Sequence, residues 1–243
     1  MSEREEVLLE PGYVLHLRPY RNTSLIVECL TGRFGRQTLV ARGARRSQSG
    51  QRSLLQPFGS LRLSWVRRGE MGRLTHVEQS AVPTALTGTG LLAGFYLNEL
   101  LLRLVPRGDP NEQIMSCYSS CLDRLTVSSR VPRALRLFEL GLLVALGVGI
   151  DLERDYRSGE PIEPDREYLF EHESGLTVGS ANTTIHSYSG KHLISLRKHE
   201  LEDDASLRTA RHLLAAMLRA HLGERPLKTR AVARELAELG LNG

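Results

Sequence analysis

Arginines are the residues of this chain whose number and spacing could support a chemical role. Between Pro11 and Val77 the sequence holds twelve arginines, no lysine and two acidic residues, Glu28 and Glu70. A guanidinium offers phosphate a planar fork of donors and stacks on bases, which an ammonium group does not. The chemistry indicated is binding of a phosphate backbone rather than of a single small anion. The alternative is that these arginines only keep the surface soluble, but that role needs no bias toward one sign of charge.

The charge is local to the N-terminal third of the chain. Residues 1 to 82 carry 13 arginines and 7 glutamates, whereas residues 83 to 243 carry 19 basic and 21 acidic residues. The formal net charge of +4 and the pI near 9.1 therefore conceal an asymmetry. An asymmetry of this kind predicts a nucleic-acid-binding surface on the N-terminal part.

Length and composition fit two domains with a substantial core, since 41% of the 243 residues are hydrophobic. No apolar run approaches the roughly 20 residues that cross a membrane, and the acidic, polar start at Met1–Glu6 is unlike a secretory signal. Three cysteines, Cys29, Cys117 and Cys121, do not resemble a disulfide framework. We therefore expect a cytoplasmic protein with no contact to a membrane.

Alternating apolar residues and turn residues between Gly12 and Gln79 predict a small β-barrel. A long, basic loop from Arg42 to Gln51 follows the third strand, as in barrels of the oligonucleotide-binding (OB) type. An SH3-like barrel would give almost the same pattern. The predicted strands are Tyr13–Leu17, Ser24–Leu30, Arg36–Ala41, Leu61–Arg67 and Leu74–Val77.

After Pro83 the apolar period changes from two residues to 3.6, which predicts helices. The fold class predicted is α+β, with a five-stranded OB barrel in residues 1–82 and a mainly helical domain in residues 83–243. A polar insertion around 151–189 holds a hairpin with strands Tyr168–Phe170 and Leu176–Val178. The helices predicted are Leu91–Val105, Asn111–Thr126, Pro132–Leu146, Gly190–Lys198, Ala205–Leu222 and Thr229–Leu239.

Motifs for catalysis or for a cofactor are weak. The glycines of Gly88–Gly94 have the wrong spacing for a dinucleotide loop and no convincing strand before them. Cys117 and Cys121 lie one helical turn apart without further ligands nearby, so small buried residues are the simpler interpretation. The spacing of His172, His186, His192 and His199 matches no metalloprotease motif. We expect no cofactor, no metal and no enzymatic activity.

The arginines of the barrel are the predicted nucleic-acid contacts, and they would position a strand without reading its sequence. Tyr20 and Phe34 lie in or beside turns and are the predicted stacking residues. Trp65, in the middle of a strand, is predicted to be a core residue or a cross-strand contact. The predicted phosphate contacts are Arg33, Arg36, Arg42, Arg45, Arg46 and Arg52, followed by Arg18 and Arg21.

Six tracts, in register from one end of the chain to the other, resemble the RecO family of bacterial recombination mediators. Each tract alone is short, but together they cover almost the whole chain. They are Arg18–Leu25, Leu39–Arg45, Leu55–Phe58, Tyr96–Leu101, Ala134–Glu139 and Pro226–Arg230.

The resemblance implies an OB barrel followed by a helical domain. It also implies binding of single- and double-stranded DNA, annealing of complementary strands, and work with RecR to load RecA onto DNA coated by the single-stranded-DNA-binding protein (SSB). Such a protein would be associated with the nucleoid. Many members carry a four-cysteine zinc site, but here no cysteine follows Cys121. The chain therefore resembles the zinc-free branch.

A second site is predicted on the helix Pro132–Leu146. At 100° per residue Arg133, Arg136, Leu140 and Leu143 share one sector of that helix. Spacing alone fits a binding groove and a core face with outward-reaching arginines equally well. The resemblance implies the groove, in which Arg136 would pair with the terminal carboxylate of the acidic, Phe-ended SSB tail.

Two other interpretations stay open at this point. An RNA-binding barrel in translation or RNA processing would carry the same charge. An enzyme could also have its site in the polar 151–189 region, around Glu171, His172 and Glu173.

Overall fold

The computed structural model describes residues 5–46, 50–69, 71–81, 85–179 and 186–238. The chain forms two compact units, one of Met1–Ser128 with Leu227–Gly243 and the other of Ser129–Pro226. The predicted domain boundary at residue 82 lies outside the described residues; the barrel strands end at Gln79, the next helix begins at Gly88, and the first unit extends to Ser128. No helix in the described ranges is both long and apolar enough to cross a membrane.

Five strands of the first unit form a closed barrel in the order β1-β2-β3-β5-β4, with β4 pairing back onto β1. All neighbours are antiparallel except β3 and β5, which are parallel. This Greek-key arrangement of five strands confirms the predicted OB type of fold. The elements are β1 (Glu5–Tyr20), β2 (Ser24–Thr31), β3 (Gly35–Ala41), the short helix α1 (Gln51–Leu54), β4 (Ser60–Arg67) and β5 (Gly72–Gln79).

Strand β1 closes the barrel because its first half pairs with β4 and its second half with β2. Gly12 is bonded to both neighbours, opposite Thr31 on β2 and Leu61 on β4. A Cβ at Gly12 would lie 2.9 Å from the Leu30 carbonyl oxygen, so the close approach requires glycine. The sequence pattern misses the half of β1 before Gly12, since those residues do not alternate.

The barrel interior is filled by every second residue of its strands. Val27, Leu39, Leu63 and Trp65 are completely buried, and Ala44 and Leu55 from the loop and α1 region join the same cluster. Trp65 is therefore a core residue, one of the two alternatives predicted for it. The alternate positions of the same strands point outward, although those of β2 are also buried.

Three helices belong to the same unit as the barrel: α2 (Gly88–Leu104), α3 (Glu112–Arg124) and α7 (Lys228–Glu238). The buried side chain of Asn98 on α2 links two of them to the barrel. Its amide donates to the Leu15 carbonyl of β1 at 2.9 Å and accepts from the Tyr118 hydroxyl of α3 at 2.7 Å. The polar groups that this contact buries are thus paired with one another.

Helix α7 is anchored to α2 by the carboxylate of Glu99. It accepts the backbone N–H groups of Lys228 and Thr229 at 2.8 and 2.9 Å and the Thr229 hydroxyl at 2.7 Å. Burial of Glu99 disfavours its charge, but these hydrogen bonds and the charge of Arg103 outweigh burial and lower its pKa. Arg230 adds a contact, with its guanidinium 5.6 Å from the centroid of the Tyr96 ring.

The second unit combines three α-helices with a three-stranded antiparallel sheet of order β7-β6-β8. A 3₁₀ turn, Ser128–Arg130, precedes its first helix. Strands β6 and β7 form the predicted hairpin, with Tyr168 opposite Val178. The elements are α4 (Val131–Ala145), β6 (Glu167–Glu171), β7 (Gly175–Val178), β8 (Ser187–Ser189), α5 (Gly190–Arg197) and α6 (Asp204–Leu222).

Asp155 organises the polar tract between α4 and β6. Its carboxylate is buried and accepts the N–H groups of Arg157, Ser158 and Val178 as well as the Ser158 hydroxyl. Burial acts to raise the pKa of Asp155, but the four hydrogen bonds outweigh it and lower the pKa. The Tyr156 N–H also donates to the Leu176 carbonyl at 2.7 Å. The tract therefore covers the outer edge of β7 and leaves that edge less open to further pairing.

Candidate nucleic-acid interface

One row of outward-facing residues runs across four strands of the barrel. Register places Arg18 opposite Ile26, Ile26 opposite Val40, and Val40 opposite Arg73. The two arginines are exposed, while Ile26 is buried and Val40 partly buried. Because Ile26 is buried, the row offers a bound strand its two end cations and the partly buried Val40 rather than a continuous apolar strip.

The adjacent end of the barrel gathers further arginines. Arg45 joins two loops there, because its backbone N–H donates to the Thr23 carbonyl at 2.9 Å and its guanidinium donates to the carbonyls of Arg21 and Asn22 at 3.2 and 3.4 Å. The loop after β3 is thereby held against the β1–β2 turn. We call this surface the basic end, and its residues are Arg18, Tyr20, Arg21, Arg42, Arg45, Arg46 and Arg73.

Tyr20 is the aromatic residue of the basic end. It pairs with Ser24 at the last position of β1 and is partly buried. The Arg21 guanidinium lies 5.2 Å from the centroid of its ring. The tyrosine has the outward parity of Arg18, two residues earlier on the same strand, so it continues the same surface.

Arg33 and Phe34 lie at the opposite end of β2, about 25 Å away for a strand of this length. The Arg33 side chain is 71% exposed and forms a 3.7 Å ion pair with the buried carboxylate of Glu10. Phe34 is partly buried and contacts the core residue Trp65 edge to face at 5.3 Å, while Arg33 lies over its ring. The ring of Phe34 therefore already has packing partners, and the predicted phosphate contacts do not form one cluster.

Arg36 was predicted to contact phosphate, a role that requires an exposed guanidinium, but its side chain is largely buried. Only 12% of its side chain is exposed, and Glu28 pairs with it at 3.2 Å. Glu28 also pairs with Arg107 at 2.7 Å and accepts the Thr38 hydroxyl. The Arg36 Nε donates to the Val105 carbonyl at 2.9 Å. Arg36 thus secures the loop after α2 to the barrel, which corrects the expectation of a free cation there.

The sequence pattern does not single out two exposed arginines that lie near the basic end and near Arg36. Arg73 reaches the basic end only through the parallel β3–β5 pairing, and Arg107 reaches β3 through the loop after α2. Neither pairing has a local sequence signal. Arg52, which the sequence does single out, is exposed on α1.

The residues predicted to bind a partner on α4 are mostly covered. Leu143 has no exposed area, and Leu140 is also buried. Arg136 exposes 11% of its side chain and donates to the Glu139 carboxylate at 2.7 Å, while Arg133 is exposed and donates to the His199 carbonyl. The two leucines are core residues, so they cannot line an open groove. This corrects the open apolar slot that the family resemblance had implied.

Metal-ligating and nucleophilic side chains of the described residues were the other candidates for chemistry. The described ranges contain no group of three or more His, Cys, Asp or Glu side chains suited to a metal ion. Burial, with the nearby charge of Glu28, raises the pKa of the Cys29 thiol to about 12, which keeps it in the unreactive thiol form. Glu171 of the polar insertion is paired with Arg157 at 2.9 Å.

Two family models match the chain end to end. Residues 6–82 match the model of the recombination protein O N terminal, and residues 86–231 match that of the recombination protein O C terminal. The boundary between the models falls where the barrel ends and the helices begin.

Curated relatives agree over almost the full length. The chain is 44% identical over 235 residues to the DNA repair protein RecO of Nitrosococcus oceani, with 96% of each chain covered. It is 39% identical over 234 residues to the protein of that name from Methylococcus capsulatus, again with 96% of each covered. The DNA repair protein RecO of Haemophilus influenzae is 37% identical over 222 residues, which cover 91% of this chain and 94% of that protein.

Proposed function

The chain belongs to the RecO family of DNA repair and recombination proteins, and we propose that it is a non-enzymatic mediator that binds single- and double-stranded DNA and anneals complementary strands. With RecR as partner, it would help to load RecA onto strands coated by SSB. The observation that carries the DNA-binding part is the basic end of the barrel, where exposed arginines of β1, of β5 and of the loop after β3 lie together with Tyr20.

The charge of the surrounding chain supports a phosphate ligand at the basic end. No acidic residue occurs in residues 11–27 or 29–69, which supply most of the arginines there. Contacts between arginines and the DNA phosphates do not depend on the base sequence. Annealing of arbitrary complementary strands requires such sequence-independent binding. Tyr20 would stack on a base. Because an aromatic ring stacks on any of the four bases, this contact is also independent of sequence.

Annealing of SSB-coated strands is the experiment that tests the proposed function. Two complementary oligonucleotides, one with a donor dye and one with an acceptor, are coated with SSB and mixed with the protein. We expect energy transfer to appear far faster than without the protein. A rate equal to that of the coated strands alone would contradict the proposal. An RNA of equal length added as competitor separates DNA preference from general binding of polyanions.

For the SSB tail we propose Arg136 as the receptor of its terminal carboxylate, which would displace Glu139 from the 11% exposed guanidinium, with the exposed Arg133 beside it. A guanidinium can hold a carboxylate through two parallel hydrogen bonds, whereas lysine cannot. Because Arg136 also holds Glu139, an alanine substitution would disturb the fold as well as the site. The substitution Arg136→Lys keeps the charge and is the cleaner variant.

We expect Arg136→Ala to weaken binding of a tail peptide by about 1.5 to 3 kcal/mol, roughly 10- to 150-fold, and Arg136→Lys to weaken it less. Fluorescence anisotropy with a labelled peptide measures this, alongside thermal melting of each variant. Affinity for naked DNA should not change. Equal peptide affinity of wild type and both variants would place the tail elsewhere.

A further inference from the structure

The second unit contains a cleft that neither DNA binding nor tail binding uses. Its volume is about 520 Å³, within the range of sites that hold a ligand or a peptide side chain. The floor is apolar, with Leu176 and Met217 buried and Ile150 and Phe170 partly buried. A floor of this kind accepts an aliphatic or aromatic side chain.

The lining of the cleft carries three carboxylates, Asp151, Asp155 and Glu173, against one arginine, Arg154, and two histidines, His172 and His221, and most of it lies in an acidic segment. Residues 151–173 hold nine acidic residues and three arginines. Two of these arginines are already paired, Arg157 with Glu171 at 2.9 Å and Arg166 with Glu163 at 3.1 Å. A phosphate backbone or an acidic peptide approaching this surface would be repelled, because like charges raise the energy of the encounter.

The rim of the cleft presents groups that attract a cation. Asp151 and Glu173 are exposed on it. Tyr156 is 63% exposed, and its backbone N–H donates to the Leu176 carbonyl of β7, so its ring stands beside the cleft and is accessible to a lysine or arginine. The third arginine, Arg154, also lines the cleft, but its guanidinium donates to the Gly159 carbonyl at 2.9 Å.

We propose that this cleft binds a cationic segment of a partner protein through one apolar anchor side chain. The anchor would occupy the floor at Phe170 and Met217, while flanking lysines or arginines would meet Asp151, Glu173 and the face of Tyr156. The sign of the charge makes this site distinct from any surface for DNA or for an acidic tail.

Binding of short labelled peptides to the full-length protein tests the proposal. The probe is a fluorescein-labelled peptide, Gly-Arg-Lys-Phe-Lys-Arg-Gly, and the comparison peptides replace its Phe with Gly or its basic residues with Glu. We expect affinity to follow the order Phe-containing basic peptide, Gly-containing basic peptide, acidic peptide.

A double substitution, Asp151→Asn with Glu173→Gln, should weaken binding of the probe by about 5- to 30-fold. The matched control, Glu160→Gln with Glu167→Gln, removes the same charge from exposed positions outside the cleft and should change affinity by less than about twofold. Equal losses in both variants, or equal affinity for the two basic peptides, would overturn the proposal. Loss of DNA affinity in the cleft variant would overturn it too, since the surface would then serve nucleic acid.

Discussion

Glu28 determines how two arginines of the barrel are used. It is buried in the outer wall, where Arg36 and Arg107 pair with it at 3.2 and 2.7 Å. A buried ion pair contributes little net stability, but removal of one partner is costly, because the other charge stays in a poorly solvated place. If Glu28 lost its charge, the largely buried guanidinium of Arg36 would be left without this ion-pair partner.

We therefore expect Glu28→Gln to lower the free energy of unfolding by about 3 kcal/mol. Chemical denaturation measures this. The control is Glu78→Gln, which removes an exposed partner of His76 and should cost less than about 1 kcal/mol. If both variants unfold at the same denaturant concentration, the account of Glu28 fails.

Asp155 gives the second unit a pH dependence whose direction follows from its lowered pKa. A carboxyl group with a folded-state pKa below its unfolded value stabilises the fold above the unfolded pKa, about 3.9 for Asp, and this stabilisation is lost as pH falls through the folded pKa. Asp155→Asn should thus melt below the wild type at neutral pH. The gap should narrow as the pH falls below about 4, and a gap that stays constant across the melting series would contradict this role.

The residue types of the barrel segment predict that its surface binds phosphate, but they do not show which arginines lie on that surface. Twelve arginines in the barrel segment indicate a phosphate ligand, yet the sequence does not separate Arg33, which is exposed, from Arg36, which is secured by Glu28. That difference depends on Arg107 and Val105, which lie about 70 residues further along the chain. Contacts over such separations have no local signal.

At the scale of elements, one carboxylate makes most of the polar contacts that attach α7, and the contact of Arg230 with Tyr96 adds to them. Glu99 accepts three hydrogen bonds from Lys228 and Thr229, the first residues of the helix. It therefore acts as a cap supplied by another helix, and loss of a cap typically costs about 1 kcal/mol. None of the α7 side chains described is buried, so little apolar packing is present to replace this anchor.

We expect Glu99→Ala to release α7 and to speed proteolysis within Lys228–Glu238. Limited trypsin digestion followed by mass spectrometry would detect the cleavage sites. The matched control is Glu235→Ala, an exposed glutamate of α7 itself, which should leave the rate unchanged. Equal digestion of the Glu99 variant and the wild type would show that the helix is held by other contacts.

The spacing of apolar residues and the positions of turn residues predict most helices and strands, but they do not predict which strands pair. The predicted helix Pro132–Leu146 lies within one residue of α4 at each end, and β2 and β3 match their predicted runs closely. The parallel β3–β5 pairing and the double pairing of β1 depend on barrel closure, which no window of sequence contains. The same limit explains why spacing alone left open whether Leu140 and Leu143 of α4 line a groove or belong to the core, since their burial depends on neighbouring elements.

At the scale of the whole molecule, the chain separates opposite charges between its parts. The barrel segment is basic, and residues 151–173 of the second unit are acidic. A polyanion is thereby attracted to the barrel and disfavoured near the polar insertion. We therefore expect the salt dependence of DNA affinity to arise mainly from the arginines of the basic end.

The most direct test of this central claim is the salt dependence of binding to a single-stranded oligonucleotide. If about four to six arginines contact phosphates, log K should fall with log salt at a slope of roughly 3 to 4. The triple variant Arg42→Ala, Arg45→Ala, Arg46→Ala should lower that slope by about 2. The control, Arg208→Ala, Arg211→Ala, Arg219→Ala, removes the same charge from exposed positions of α6 and should keep the wild-type slope. An unchanged slope in the barrel variant, or an equal drop in both variants, would contradict the assignment of DNA binding to the basic end.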